Sequence, residues 1–364
     1  MNRMHSFLKL MVDKNASDLH MRVGVIPVMR VDGGLFRLNT EAVGLDEMND
    51  VIQHMMTPEQ YKNYSLNKEI DFAIGVNGLG RFRVNAYHQR GTPSLAIRFI
   101  KTTAPEFSKL LLPETILDIA MHKRGLILVT GTTGSGKSTL LASMVEHINK
   151  NTSSNIITIE DPIEFLYKDN RSIIAQREIG TDADTFSSAL RGSFRQDPDI
   201  ILIGEIRDST TMETAMSAAD TGHLVMSTLH TMNTVETITR IISFFPPHQH
   251  DQIRLVLSNV LVAIISLRLL PRQGGGRIPA AEILVNNANI SELILKPQSS
   301  HELFEAIAEG YTQYGSQTFD QSLLQLYRDD YITLQTARQY ANNPDDFDLK
   351  VSGVQSASDS SWIQ

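Results

Sequence analysis

The chain of 364 residues has no cysteine, no surplus of positive charge and no unbroken apolar run of membrane-spanning length. The first absence excludes disulfides, CxxC redox pairs and cysteine-ligated zinc or iron–sulfur centres together, and suits a reducing cytoplasm. With 33 basic against 41 acidic residues the net charge is -8, so nothing draws the whole chain to nucleic acid or to an anionic bilayer, although a local basic groove stays open. The most apolar later segment, Leu255 to Leu270, is interrupted by Ser258, Asn259, Ser266 and Arg268 and reads as a buried helix rather than a membrane span. At the N-terminus, Phe7, Leu8, Leu10 and Met11 stand among Lys9, Asp13 and Lys14, as in a short amphipathic helix. The long apolar core and cleavage site of a secretory signal are missing. No internal repeat is visible.

What is present is concentrated in one stretch. Residues 131–138, GTTGSGKS, fill every fixed position of the pattern G-x-x-x-x-G-K-[ST] directly after the apolar run Leu126–Val129. A strand that delivers the chain to such a turn lets the amides of Gly131, Thr132, Thr133, Gly134, Ser135, Gly136 and the following helix start, through Thr139, wrap phosphate. Lys137 then reaches the β- and γ-phosphates of ATP, and the Ser138 hydroxyl can hold Mg²⁺.

Length and composition predict two domains. Residues 1–100 read as a small α+β domain: the first helix, a strand over Val23–Val31, a turn at Asp32-Gly33-Gly34 and a helix near Leu45–Met56. Strands follow near Asp71–Val76, Arg81–Gln89 and Ser94–Phe99. Residues 101–124 read as linker and lead-in, with a helix at Glu114–His122. Over 125–272, strands at Leu126–Thr130, Ile156–Ile159, Ile200–Ile203 and Leu224–Thr228 alternate with helices near Ser138–Lys150, Asp184–Arg195 and Thr211–Asp220. That alternation predicts a parallel α/β sheet covered on both faces. Residues 273–343 read as mainly helical, with elements at Ile290–Ile294, Ser300–Glu309, Phe319–Arg328 and Leu334–Tyr340, and 344–364 as a disordered, Ser-rich tail.

Three further segments carry candidate chemistry. Ile200–Ile203 leads into Gly204-Glu205, placing Glu205 beyond the carboxyl end of a buried strand, where it can reach Mg²⁺ or its water shell. ITIEDPIEF ends another strand in Glu160, Asp161 and Glu164, and hydrolysis needs a carboxylate that orients water; the plain alternative is a solvated acidic loop. His223 and His230 bracket Leu224–Leu229, either sensing phosphate state, reaching a subunit boundary or serving as ordinary structural histidines. In the first domain Arg81 and Arg83 alternate with Phe82 and Val84. With Arg98 they are candidates for cationic groups offered across a ring interface, against the plain alternative of surface arginines.

Taken in order and spacing, GTTGSGKS, ITIEDPIEF, IILIGEIRD and GHLVMSTLH resemble the secretion ATPases of the type II/type IV pilus superfamily. SDLHM at 17–21, GRFRVNAYHQRG at 80–91, RGLILVTG at 124–131, FFPPHQHDQIR at 244–254 and QTFDQSL at 317–323 resemble its retraction branch, over roughly residues 5–340. The resemblance implies a PAS-like N-terminal domain joined to a RecA-like P-loop motor domain, in a cytoplasmic homo-hexamer docked beneath an inner-membrane pilus platform protein. It implies Mg²⁺-dependent ATP hydrolysis coupled to pilin depolymerisation. Lys137 and Ser138 match the family's phosphate-loop residues, Glu205 its Walker B acid, and Glu164 the water-polarising glutamate of its aspartate box. His223 and His230 match its histidine box, and Arg81, Arg83 and Arg98 its interfacial arginines. Ile290–Lys296 departs from the alanine–isoleucine–arginine–alanine–glycine motif of the principal retraction motor. With Phe244–Pro247, His301–Leu303 and the added tail, this points to the accessory motor that works with a principal retraction ATPase, the alternative being a divergent, autonomous principal motor. A pilus-assembly ATPase is disfavoured by the short, cysteine-free chain, a nucleic-acid translocase by the charge, and a purely scaffolding protein by the retention of both Glu164 and Glu205.

Overall fold

The protein is described by a computed structural model covering residues 2–31, 33–100, 104–296 and 300–352, which falls into two compact units. One comprises Met1–Thr103 with Glu164–Leu166, the other Ala104–Ile163 with Tyr167–Gln364.

In the first unit, α1 (Asn2–Asp13) buries Met4, Phe7, Leu8 and Met11, a three-and-four spacing that lines one helical face. It is followed by β1 (Asp18–Arg22), β2 (Val28–Val31), β3 (Gly34–Arg37), α2 (Leu45–Met55), α3 (Pro58–Asn67), β4 (Glu69–Val76), β5 (Gly80–Gln89) and β6 (Thr92–Ile100). The strands form an antiparallel sheet in the order β3-β2-β1-β6-β5-β4. Its inner face, including Leu19, Met21, Met29, Phe82, Val84, Leu95 and Ile97, packs with α1 and α2. The expected strand over Val23–Val31 is corrected to two: β1 precedes it, β2 takes only its end, and Gly24 at φ 75° turns the chain between them. Of the expected turn at Asp32-Gly33-Gly34, Asp32 lies outside the described residues, Gly33 turns and Gly34 opens β3. The unforeseen α3 starts on a capping box in which Thr57 and Gln60 bond each other's backbone, with Pro58 in the first turn.

The second unit begins with a short 3₁₀ turn (Phe107–Leu110) and α4 (Thr115–Ala120). It continues as β7 (Gly125–Thr130), α5 (Lys137–Asn151), β8 (Asn155–Glu160), β9 (Ile173–Glu178), α6 (Phe186–Ser193), β10 (Ile200–Ile203), α7 (Ser209–Asp220), β11 (Leu224–Leu229), α8 (Thr234–Ser243), α9 (His250–Val260), β12 (Leu261–Pro271) and β13 (Arg277–Val285). The sheet order is β13-β12-β7-β11-β10-β8-β9, parallel except for the antiparallel edge strand β13. Every residue of β7, β10 and β11 is buried, because helices cover both faces.

Two expectations fail here. Leu255–Leu270 is not one buried helix: α9 ends at Val260 and the rest is β12, hydrogen-bonded between β7 and β13. A strand buried on both faces loses its two-residue period and mimics a core helix in sequence. The Asn286 side-chain amide donates to the Ser258 and Leu261 carbonyls, satisfying the backbone where helix becomes strand. The stretch after 273 likewise opens with β13 before turning helical.

The helices that follow are α10 (Ala288–Leu295), α11 (Ser300–Glu309), α12 (Tyr311–Tyr314), α13 (Phe319–Arg328), α14 (Leu334–Tyr340) and α15 (Pro344–Val351). The last corrects the expected disordered tail at its start, because Phe347 is fully buried against α13 and α14, beside Phe319 and Ala337, and the Asn343 side chain caps the helix. Residues 353–364 of that expectation lie outside the described residues.

Candidate nucleotide site

In an open parallel sheet a ligand sits beyond the carboxyl ends of the strands, and the phosphate-loop sequence leaves β7 at that edge. Gly131, at φ 137°, is irreplaceable there, since a Cβ would come within 2.5 Å of the Leu267 carbonyl oxygen and of Ser135 Oγ. Gly136, at φ 101°, caps α5 in a left-handed conformation. The N-terminus of α5 therefore opens directly from the loop, an arrangement suited to an anion. Ser135 Oγ is buried in the loop with no hydrogen-bond partner among the described residues. Lys137, itself buried, donates Nζ to the Gly131 carbonyl (2.8 Å) and the Thr132 carbonyl (3.1 Å). The loop thus curls around its own lysine.

Two other strand ends meet this lysine. Lys137 Nζ lies 3.4 Å from His230 Nδ1, and His230 Nε2 lies 3.2 Å from Glu205 Oε1. An ammonium group only donates, so Nδ1 accepts and the ring proton resides on Nε2, facing the carboxylate. Glu205 Oε2 takes a 2.9 Å hydrogen bond from Arg207 Nη2. Burial pushes the Glu205 carboxyl up, but Arg207 and His230 outweigh it and hold the group below the usual carboxylate range. The acid is therefore ionised at neutral pH. Gly204 is held close here, for a Cβ would meet the Glu160 backbone at 3.3 Å. Ser138, partly buried in the first turn of α5, and ionised Glu205 supply oxygen donors that fit a hard divalent cation such as Mg²⁺.

The remaining candidates are placed differently. Glu160 is buried and accepts from Thr158 Oγ1 (2.7 Å) and Gln176 Nε2 (3.3 Å). Asp161 is exposed and contributes to the charge felt by Arg207. Glu164 is exposed and groups with the first unit. His223 sits at the opposite end of β11 from His230, with Nδ1 3.0 Å from the Ala218 carbonyl oxygen and its ring 5.9 Å from Phe194. The two histidines therefore do not share a site. In the first unit Arg83 and Arg98 are cross-strand partners on the outer sheet face, and Arg81 lies two residues along the same face. Arg83 pairs with Asp71, and Arg98 Nε donates to Asp18 Oδ1 at 2.9 Å. Sequence reasoning did not single out Arg207; its only signal is the two-residue spacing from Glu205 on the same segment.

Comparison with known proteins places the chain in a family. Residues 4–327 match the family of type II/IV secretion system proteins. The chain is 40% identical over 345 residues to the type IV pilus ATPase PilU of Pseudomonas aeruginosa, covering 94% of this chain and 90% of that protein. To the type IV pilus retraction ATPase PilT of the same organism it is 39% identical over 334 residues, covering 92% and 96%. A crystal structure of the pilus retraction motor PilT with bound ADP matches with a TM-score of 0.86 at 42% identity, over 94% of this chain and 97% of that one.

Proposed function

The chain belongs to the type II/IV secretion system protein family, and on that premise we propose that it hydrolyses ATP to drive type IV pilus retraction as an accessory motor. The observation that carries this reading is the series Lys137–His230–Glu205 at the carboxyl edge of the motor sheet, where a lysine for phosphate and an ionised acid are joined by one imidazole.

The amides of Gly131–Thr139 and Lys137 bind the phosphates of ATP, and Ser138 and Glu205 hold Mg²⁺. When bound, the cation neutralises phosphate charge that builds up in the transition state. Glu164 orients the attacking water. Glu160 is the weaker choice because Thr158 and Gln176 already engage its carboxylate. His230, bonded on both sides, communicates between Lys137 and Glu205 as charge on the phosphates changes, while His223 serves a subunit boundary. In a homo-hexameric ring Arg81, Arg83 and Arg98 offer positive charge toward a neighbour's nucleotide. Among the described residues no helix is long and apolar enough to cross a membrane. We place the protein in the cytoplasm, reaching the inner membrane through the pilus platform protein, with a PilT-type principal retraction ATPase as partner and no nucleic acid. The accessory role is supported by the departure of Ile290–Lys296 from the principal motor's motif.

Phosphate release tests it, measured for this protein alone, for the principal motor alone and for their mixture. Turnover in the mixture should exceed the sum of the two and lose that excess when this chain carries Lys137→Ala. Simple additivity would contradict the accessory role.

A further inference from the structure

Beneath the phosphate loop lies a layer of six polar side chains, none more than 3% exposed: Thr130, Thr231, Thr234, Thr237, Ser266 and Glu282. Ser266 pairs across β12 with Thr130 of β7 on one side and with Glu282 of β13 on the other, so the three stand in one row. Paired residues on neighbouring strands project from the same face. Here it is the face on which Leu128, Ile264 and Leu284 join the apolar core with Ile238 and Ile241 of α8.

The first turn of α8 is set onto this row. Thr234 donates both its amide and its hydroxyl to Glu282 Oε1, each at 2.8 Å. The Thr237 hydroxyl donates to the Asn233 carbonyl (2.7 Å), which leaves its oxygen to accept from Thr231 at 2.7 Å. Thr130 and Ser266 share a 2.6 Å hydrogen bond between their hydroxyls. Glu282 Oε2 is buried and takes no bond from Thr234, and the Phe319 backbone amide also acts on this carboxyl. Burial pushes this carboxyl above the usual range, against the opposing pull of Thr234 and of the Arg268 charge.

A carboxyl group in such a layer gives up most of its hydration, and packing alone would be served better by an apolar side chain. What Glu282 does that an apolar residue does not is grip both donors of Thr234. Only Thr231, Met232 and Asn233 separate Thr234 from His230, so fixing the start of α8 fixes the loop that carries the imidazole. We infer that Glu282 is a positioning residue for the nucleotide site, holding the first turn of α8 so that His230 stays between Lys137 Nζ and Glu205 Oε1. This rests on the hydrolytic role proposed above for Lys137, His230 and Glu205. Both bonds from Thr234 end on one oxygen, so a neutral acceptor of the same shape suffices, and Glu282→Gln preserves the grip.

The test is a set of kcat and KM measurements on the intact protein for Glu282→Ala, Glu282→Gln, His230→Ala and the double variant Glu282→Ala/His230→Ala, with folding checked by circular dichroism. Glu282→Ala should lose about tenfold or more in kcat with KM changed less than about threefold, and Glu282→Gln should stay within about twofold of wild type. The double variant should be no slower than His230→Ala alone, since a residue acting only through His230 has nothing left to position. A Glu282→Ala variant with wild-type kcat, or losses that multiply in the double variant, would overturn the inference; a merely structural role gives the second. Should Glu282→Ala fail to fold, Thr234→Val, which keeps the amide donor and removes the hydroxyl, replaces it in the same cycle with an expected loss of about threefold. Full activity in Lys137→Ala or His230→Ala strikes instead at the reading of the site itself.

Discussion

In the first unit, charged side chains stand on an open sheet face, Arg98 beside Asp18 and Arg83 beside Asp71, whereas in the second the central strands are sealed on both sides and charge collects where they end. The same bond type therefore differs in consequence. Arg98 is 65% exposed and its ion pair is screened by water, so Arg98 is replaceable at little cost to the fold. Lys137, His230 and Glu205 are linked in series by contacts of 3.4 and 3.2 Å, and the Thr and Ser layer beneath them is buried. Groups in such a network are coupled, and loss of one disturbs the others. The charged groups of the first unit pair at its surface, while the polar groups of the second are joined to one another.

Two substitutions sharpen that contrast. The larger effect belongs to Phe82→Ala, which empties a fully buried ring position beside Phe99 in the first unit's own core. It should destabilise that unit by about 3–5 kcal/mol. In urea, the transition reported by the first unit should move to lower concentration while ADP binding at the second persists to the wild-type midpoint; simultaneous loss of both would show that the units do not stand on separate cores. The smaller belongs to Arg98→Ala. Burial raises the Asp18 carboxyl, but the Ser17 hydroxyl and Arg98 outweigh it and hold the group below its ordinary 3.8. A depressed carboxylate stabilises the fold above its unfolded value and loses that contribution as pH falls through the folded one. The variant should therefore be about 0.5 kcal/mol less stable at pH 7, discounted for exposure, and indistinguishable from wild type in acid below the folded value. A deficit that persists unchanged in acid would remove the ion pair as its cause.

The same contrast explains what the sequence made legible. β7 and β10 are apolar runs followed by glycine, and β11 is a mostly apolar run bracketed by His223 and His230, so their burial is written locally. β12 is equally apolar but follows a helix without a glycine or proline between them, and only its pairing with β7 and β13 decides its conformation. β9, an edge strand with Gln176, Arg177 and Glu178, carries too little apolar signal to stand out. In the first unit β1 is five residues long with charges at Asp18 and Arg22, so its place between β2 and β6 depends on partners elsewhere in the chain. At the site, sequence alone names Lys137, Glu205 and His230. It does not tell that one imidazole spans the other two, because Lys137 and His230 are 93 residues apart and meet only through the β7–β11 pairing. Glu282 gave no warning, being a single acid inside an apolar strand.

The decisive measurement is phosphate release from ATP by the purified wild-type protein mixed with a PilT-type retraction ATPase, with Mg²⁺ present and after chelation, and with Lys137→Ala of this chain run alongside. Turnover should fall to background on chelation and lose this chain's share, by about 100-fold or more, in the Lys137 variant. Turnover by Lys137→Ala equal to wild type, or nucleotide held without any phosphate released, would contradict the proposed hydrolysis.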